Sequence, residues 1–223
     1  MPLAKAGSQL WLQIAVNHRP DSLLDALRRA GTISPGATVR WTSPLTTEGC
    51  CEYRDGDAIK KAGIDALPVR PLQEFWPPRG PVGDAIGRTS DSIAVFVEAK
   101  AHIREAASPG SRATPRPLKL LTRSLEETRR WYAPKSEADW TGLYYEYANR
   151  LGHHYFVRKV NGVASVLVFL YFLNASEMGG PESEDEWKEA LHRLHTALGL
   201  PAHLEAHSVF DAFLDVRQLA NTV

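Results

Sequence analysis

Little in this chain stands out by abundance: it has two cysteines, two methionines, no excess of either charge, and no apolar run of bilayer length. Each shortage excludes something. Cys50 and Cys51 are adjacent, a spacing that suits neither an internal bridge nor a zinc site, so two reduced thiols are expected. Lys and Arg number 26, as do Asp and Glu, which argues against a protein that coats nucleic acid through bulk charge. The greasiest stretch, 163–173 (VASVLVFLYFL), is too short for a membrane span and too rich in β-branched and aromatic residues for a first reading as helix. No charged segment leads into an apolar one at the N-terminus, so no signal peptide is expected. These points predict a cytoplasmic protein with no membrane partner. No internal repeat is visible.

What is present suits one globular domain spanning 1–223, with 43% apolar and 23% charged residues. The charges are unevenly spread. Residues 100–135 carry nine Lys or Arg against three Glu, and 176–189 carry six acids against one Lys. A basic run is ordinarily a solvated face, but this one begins where an apolar strand ends, which makes it a candidate phosphate-facing surface.

Periodicity and punctuation predict the elements. Helices are expected over 8–16 and 21–30, a short strand over 38–42 and a short helix over 55–62. The stretch 68–81 holds five prolines and should be extended. A hairpin follows over 82–100, then a loop over 106–117 and helices over 118–132 and 138–160. The second of these presents Trp140, Leu143, Tyr144, Tyr147, Ala148, Leu151 and Tyr155 as one stripe, and Asn161-Gly162 closes it. A buried strand is expected at 163–173, a helix at 183–198 opened by a Ser183/Glu186 capping box, and a last strand at 209–216. The order predicts an α/β fold, a mixed central sheet flanked by helices.

The hairpin carries the chemistry. Its second strand runs Ile-Ala-Val-Phe-Val and then ends in Glu98-Ala99-Lys100. Alternation puts Ala94, Phe96, Glu98 and Lys100 on one face, with Glu98 and Lys100 about 7 Å apart. If the loop is Ser90-Asp91-Ser92, Thr89 pairs with Ile93 and Asp84 falls opposite Glu98. A two-residue loop would send Asp84 to the other face. Two facing carboxylates beside an amine invite a divalent cation, which Asp84, Glu98 and the Ala99 carbonyl could ligate. Lys100 would hold water and offset charge developing on a phosphate.

Asp84, thirteen intervening residues, and Glu98-Ala99-Lys100 resemble the core motif of the PD-(D/E)XK nuclease superfamily. The phrases RGPVGDAIGRT, VFVEAKAHI and YYEYANRLGHHYFVRKVNGVASVLVFLYFLN are similar to an uncharacterised bacterial branch of it. The resemblance spans most of the chain. It implies a restriction-endonuclease-like αβββαβ core with extra N-terminal and C-terminal elements. It also implies a Mg²⁺-dependent nuclease (Mn²⁺ able to substitute) acting on nucleic acid, DNA in preference to RNA. Asp84 and Glu98 would be the metal ligands and Lys100 the catalytic lysine; a homodimer is a candidate state. Gly83 stands where the motif has proline, and the first helix offers Gln9 and Gln13 but no acid, with Glu74 a substitute further along. The competing reading is a non-catalytic nucleic-acid-binding or assembly module on the same fold. A blander one makes Glu98–Lys100 a surface salt bridge on an edge strand.

Other residues have plainer readings. His102 should be a solvated strand-end histidine, and Glu146 and Arg150 should pair across one turn of an amphipathic helix that also bears His153-His154. His192 and His195 have a metal-compatible spacing without partners and should be superficial. Trp76 is expected to cap the core, although it could stack on a base. Arg129-Arg130-Trp131 is the better candidate for contact with a nucleic-acid strand.

Overall fold

The computed structural model describes residues 3–219, so 1–2 and 220–223 of the expected 1–223 domain lie outside the described residues. Two helices open the chain, α1 (Gly7–His18) and α2 (Pro20–Arg29), the second started by a proline at its first position. Strand β1 (Val39–Ser43) follows, then the two-residue β2 (Tyr53–Arg54) and α3 (Asp55–Lys61). The proline-rich segment contains a one-turn helix, α4 (Leu72–Phe75), where an extended segment was expected. Its end is tied down: the Ser124 hydroxyl donates to the Phe75 carbonyl, and Phe75 and Trp76 are buried. Then come β3 (Val82–Gly83), β4 (Ala85–Thr89) and β5 (Ala94–Lys100). After α5 (Ile103–Ala106) the chain forms α6 (Pro115–Tyr132), α7 (Tyr145–Tyr155), β6 (Ser165–Leu173), α8 (Glu184–Leu198) and β7 (Val209–Asp215). The capping box of α8 is present, with Ser183 accepting from Glu186 N–H.

Five strands make one mixed sheet in the order β1-β4-β5-β6-β7. β1, β4 and β5 run antiparallel, while β5, β6 and β7 are parallel and need helical crossovers to connect them. Helices α6 and α7 make one crossover and α8 the other. β6 is buried along nearly its whole length, as its unbroken apolar run requires of a central strand. Alternation then sorts the sheet into two faces. Val95, Val97 and Ala99 of β5 pack with Leu12, Leu23 and Leu27 of α1 and α2. Ala94 and Phe96 pack instead in the larger cluster of Phe75, Leu125, Leu151 and Trp187, supplied by α4, α6, α7 and α8. The result is an α/β layered fold. No described helix is long and apolar enough to cross a membrane.

The helix expected over 138–160 is shorter than its apolar stripe suggests. Asp139 accepts from the Thr141 N–H (2.8 Å) and hydroxyl (2.6 Å), and Tyr144 sits at φ 64°, so residues 138–144 are not helical. Leu143 is 58% exposed, and Trp140 is buried separately, its indole N–H donating to the Leu198 carbonyl (3.0 Å). At the other end, residues Phe156–Val160 widen into a π-type turn, and Gly162 at φ 67° ends the element.

Candidate active site

The β4–β5 hairpin has the odd loop that sets Asp84 opposite Glu98. Thr89 N–H donates to the Ile93 carbonyl (2.9 Å), leaving Ser90-Asp91-Ser92 as the loop. Ala85 pairs with Val97 and Ile86 with Phe96. One step further in the same register puts Asp84 across from Glu98, on the sheet face covered by α7. Asp84 Oδ2 accepts from the Ala99 N–H at 2.8 Å, so the carboxylate continues the ladder beyond the end of β4. In an antiparallel pair a residue's N–H and C=O leave the strand on the same edge, so the Ala99 carbonyl also faces the Asp84 side. The structure therefore brings Asp84, Glu98, Ala99 and Lys100 together.

Two further charged residues join them from α7. Lys100 Nζ donates to Glu98 Oε1 (2.5 Å) and to Glu146 Oε2 (2.8 Å). Arg150 Nε donates to Glu98 Oε2, and its Nη2 lies 3.7 Å from Glu146 Oε1. The helical pairing expected of Glu146 and Arg150 exists, but both side chains also face β5. The helix is held against the sheet by Tyr147, stacked on Phe169 with centroids 4.0 Å apart, and Gly152 lets it close on Trp76 beyond α4, where a Cβ would stand 2.8 Å from Trp76 Cζ3. Glu98 is 1% exposed and its two oxygens are held by two cations, while the Glu146 side chain, 36% exposed, marks the solvent side.

The electrostatics follow from three carboxylates and two cations in one half-buried place. Burial and the neighbouring Glu98 charge push the Asp84 carboxyl well above its ordinary value, and Arg150, Lys100 and the Ala99 N–H offset only part of that. Burial acts the same way on Glu98, but Arg150 and Lys100 outweigh it and leave that carboxylate below its usual range. Burial disfavours the Lys100 ammonium, yet Glu98, Asp84 and Glu146 reverse the effect and raise its pKa, so Lys100 is a fixed cation.

No family model, curated protein or solved structure matches the chain.

The donor chemistry can be tested against a divalent ion on the residues alone. Asp84, Glu98 and the Ala99 carbonyl offer only oxygen, which suits Mg²⁺ or Mn²⁺. Among the described residues no group of three or more His, Cys, Asp or Glu side chains is placed to hold an ion. Mg²⁺ accepts that, since one or two carboxylates with waters complete its shell. The donor types suit such an ion, and Arg150 and Lys100 compete with it for Glu98.

The remaining candidates fall elsewhere. Gln9 is at the surface with Glu52, Gln13 is buried accepting from Ala4 N–H, and Glu74 is exposed, so none of the three reaches the site. His102 lies 3.6 Å from Glu105. Trp76 is buried beside Phe75 and His153, which removes it as a base-stacking surface. Trp131 packs on Tyr132, Tyr155 and His207 rather than standing free. Arg104, Arg112, Arg116, Lys119, Arg123, Arg130 and Lys135 of the basic stretch are exposed. His195 is not superficial: it is 6% exposed, hydrogen-bonded to the Tyr147 hydroxyl and the Pro201 carbonyl at 2.9 Å each.

Sequence reading also missed Asp211, which stands in the cross-strand row of Glu98 and Phe169. Burial, helped by Glu205, raises its carboxyl to about 7 against a hydrogen bond from Tyr171 and the charge of His203. Between the ordinary value of 3.8 and about 7, the folded chain holds a proton that the unfolded chain has released. Stability therefore falls as pH rises through that window and levels off above it. Asp211→Asn should melt close to wild type at about pH 4 and progressively higher than wild type up to about pH 8. A difference independent of pH in thermal melts would refute this.

Proposed function

We propose that the chain is a metal-dependent nuclease, hydrolysing phosphodiester bonds at the end of β5 on a restriction-endonuclease-like fold. The observation that carries the reading is the register: an aspartate on one leg of the hairpin and a glutamate on the next meet on one face, with a protonated lysine beside them. The order helix, antiparallel β1-β4-β5, helix, parallel β6 supports the fold assignment. Asp84, Glu98 and the Ala99 carbonyl would hold Mg²⁺. A bound Mg²⁺ supplies Lewis-acid polarisation of a phosphate oxygen and a more acidic water.

The chain's own groups do the rest. Lys100, held by Glu98 and Glu146, stays protonated and places a positive charge next to the reacting phosphate. The ammonium is a donor only, so it orients a nucleophilic water without taking its proton, which would pass to bulk solvent while the oxygen leaving phosphorus is protonated from solvent. Arg150 neutralises Glu98, and with an ion held by that carboxylate its guanidinium would be the group placed to contact a phosphate. The exposed basic face along α6 gives the nucleic acid a surface to approach.

One observation favours the second reading, a nucleic-acid-binding module without catalysis. Both Glu98 oxygens are already matched by cations, so the ion network is closed without a metal. Mn²⁺ calorimetry separates the two. The nuclease reading expects a single site that is lost in Glu98→Ala, together with Mn²⁺-dependent cleavage of single- or double-stranded DNA or RNA. A wild-type chain that binds no Mn²⁺ and cuts nothing, yet retards a nucleic acid in a gel-shift assay, is the module.

A further inference from the structure

Glu98 is answered by two cations, whereas Asp211, two strands along in the same cross-strand row, is answered by none. Among the described residues no Lys or Arg forms an ion pair with Asp211. Lys188, on the same cavity, is engaged by Glu184 (2.9 Å) and Asp185 (3.6 Å) instead. Burial and the Glu205 charge raise the Asp211 carboxyl to about 7, opposed by a hydrogen bond from Tyr171 and by His203. A carboxylate buried without a counter-ion burdens its own fold, and such groups concentrate where a ligand is handled.

The space beside it is large enough for one. Asp211 and Phe213 of β7, Leu191 and His195 of α8, and Ala202 and Glu205 of the segment between those elements border an open cavity of about 410 Å³. Small-molecule sites span about 300–1,000 Å³. Asp211 lies deep among protein atoms but keeps part of its surface on this cavity. The walls also say which charge would be welcome. His195 is no cation: its Nδ1 donates to the Pro201 carbonyl and its Nε2 accepts from the Tyr147 hydroxyl, both at 2.9 Å, and burial lowers its pKa. The Phe213 ring already lies beneath an ammonium, with Lys188 Nζ 5.7 Å from its centroid. Glu205 adds a second carboxylate at the cavity, its Oε1 3.5 Å from His203 Nδ1. Among the described residues no three of the His and acid side chains are placed to hold a metal ion, so the charge called for is an organic one.

We propose that this cavity binds a primary ammonium group on an aliphatic chain, the end of a lysine side chain or of a linear amine, with Asp211 as its counter-ion. Leu191, Ala202 and Phe213 would flank the stem, and the three donors of the ammonium would reach Asp211 and Glu205. The site stands apart from the nuclease reading. Asp211 is two strand spacings, about 10 Å, from Glu98, with Phe169 and its stacked Tyr147 between them.

The test is calorimetry at about pH 8, above the Asp211 value of about 7. The probes are Nα-acetyl-lysine N-methylamide and 1,5-diaminopentane, with the Nε-acetylated lysine derivative as the neutral control. At least one amine should bind saturably below about 10 mM and about tenfold or more tighter than the control. It should also shift the Leu191 methyl and Phe213 ring signals in NMR spectra. A preference for the lysine derivative assigns the cavity to a polypeptide side chain, and a preference for the diamine to a free amine. Asp211→Asn, which copies the shape of the protonated carboxyl, should erase the difference between amine and control. Ala202→Trp, at an exposed position, obstructs the cavity without changing its charge and should weaken the amines comparably, which keeps the test decisive if the asparagine variant folds poorly. Equal binding of amine and neutral control, no saturation by either amine, or an amine preference that survives both variants overturns the proposal.

Discussion

Arg150→Met should lower the melting temperature of the chain by roughly 6–12 °C, and adding Glu98→Gln to the same chain should restore most of the loss. The single change leaves a buried carboxylate with one cation instead of two. Breaking a buried pair from one side costs about 3 kcal/mol, because the surviving charge is still desolvated. In a domain of this size each kcal/mol is worth roughly 2–4 °C. The double variant removes the charge that needed compensation, so the two effects should be strongly non-additive, by about 1–3 kcal/mol. An additive cycle would mean that Arg150 merely packs. The same variant carries a second readout. With the guanidinium gone, a divalent ion is the natural replacement for it, so Mn²⁺ should raise the melting temperature of Arg150→Met more than that of wild type. A metal-indifferent variant would support the module reading.

Why the sequence disclosed one half of this site and not the other is a matter of range. Asp84, Glu98 and Lys100 were legible because a strand has a period of two and a hairpin's parity is set by its loop. Ser90-Asp91-Ser92 supplies that loop, and Thr89 helps to fix it, its hydroxyl accepting from the Ile93 N–H at 2.9 Å. The sheet layers were legible for the same reason, since β6 is apolar on both faces and must be central. Arg150 and Glu146 were hidden by a satisfactory local explanation: four residues apart on a helix, they already account for each other. Nothing local says which face of α7 turns to β5. The available signal was the stripe 146, 150, 153, 157, which begins in charge and ends in Val157, as a stripe must if it runs from solvent into a core. α7 starts later than apolar spacing over 138–144 predicts, because Asp139 turns the chain onto Thr141 and Tyr144 adopts a left-handed conformation that periodicity does not register. His195 was misplaced because its partners, Tyr147 and Pro201, come from a helix and a loop that periodicity cannot bring together.

Lys100→Met should reduce cleavage by about 10²–10³-fold with Mn²⁺ affinity kept or improved. The magnitude is that of removing one preorganised charge from a phosphate that becomes more negative in the transition state. The metal readout is the informative one. Lys100 shares Glu98 with the proposed ion site, so its loss would free Glu98 Oε1 rather than remove a ligand. Asp84→Asn should show the opposite pairing: cleavage lost together with metal affinity. The fold should persist, because the amide oxygen still accepts from the Ala99 N–H. Together the two variants separate charge stabilisation from metal holding. The pH profile tests the role of Lys100 further. Three carboxylates hold the ammonium above its ordinary pKa, so activity should show no rise with lysine deprotonation through the alkaline range. A lysine acting as general base would produce that rise, and Lys100→Met would abolish it. If both variants cut as wild type does, the roles assigned to Asp84 and Lys100 are wrong however close the two side chains lie.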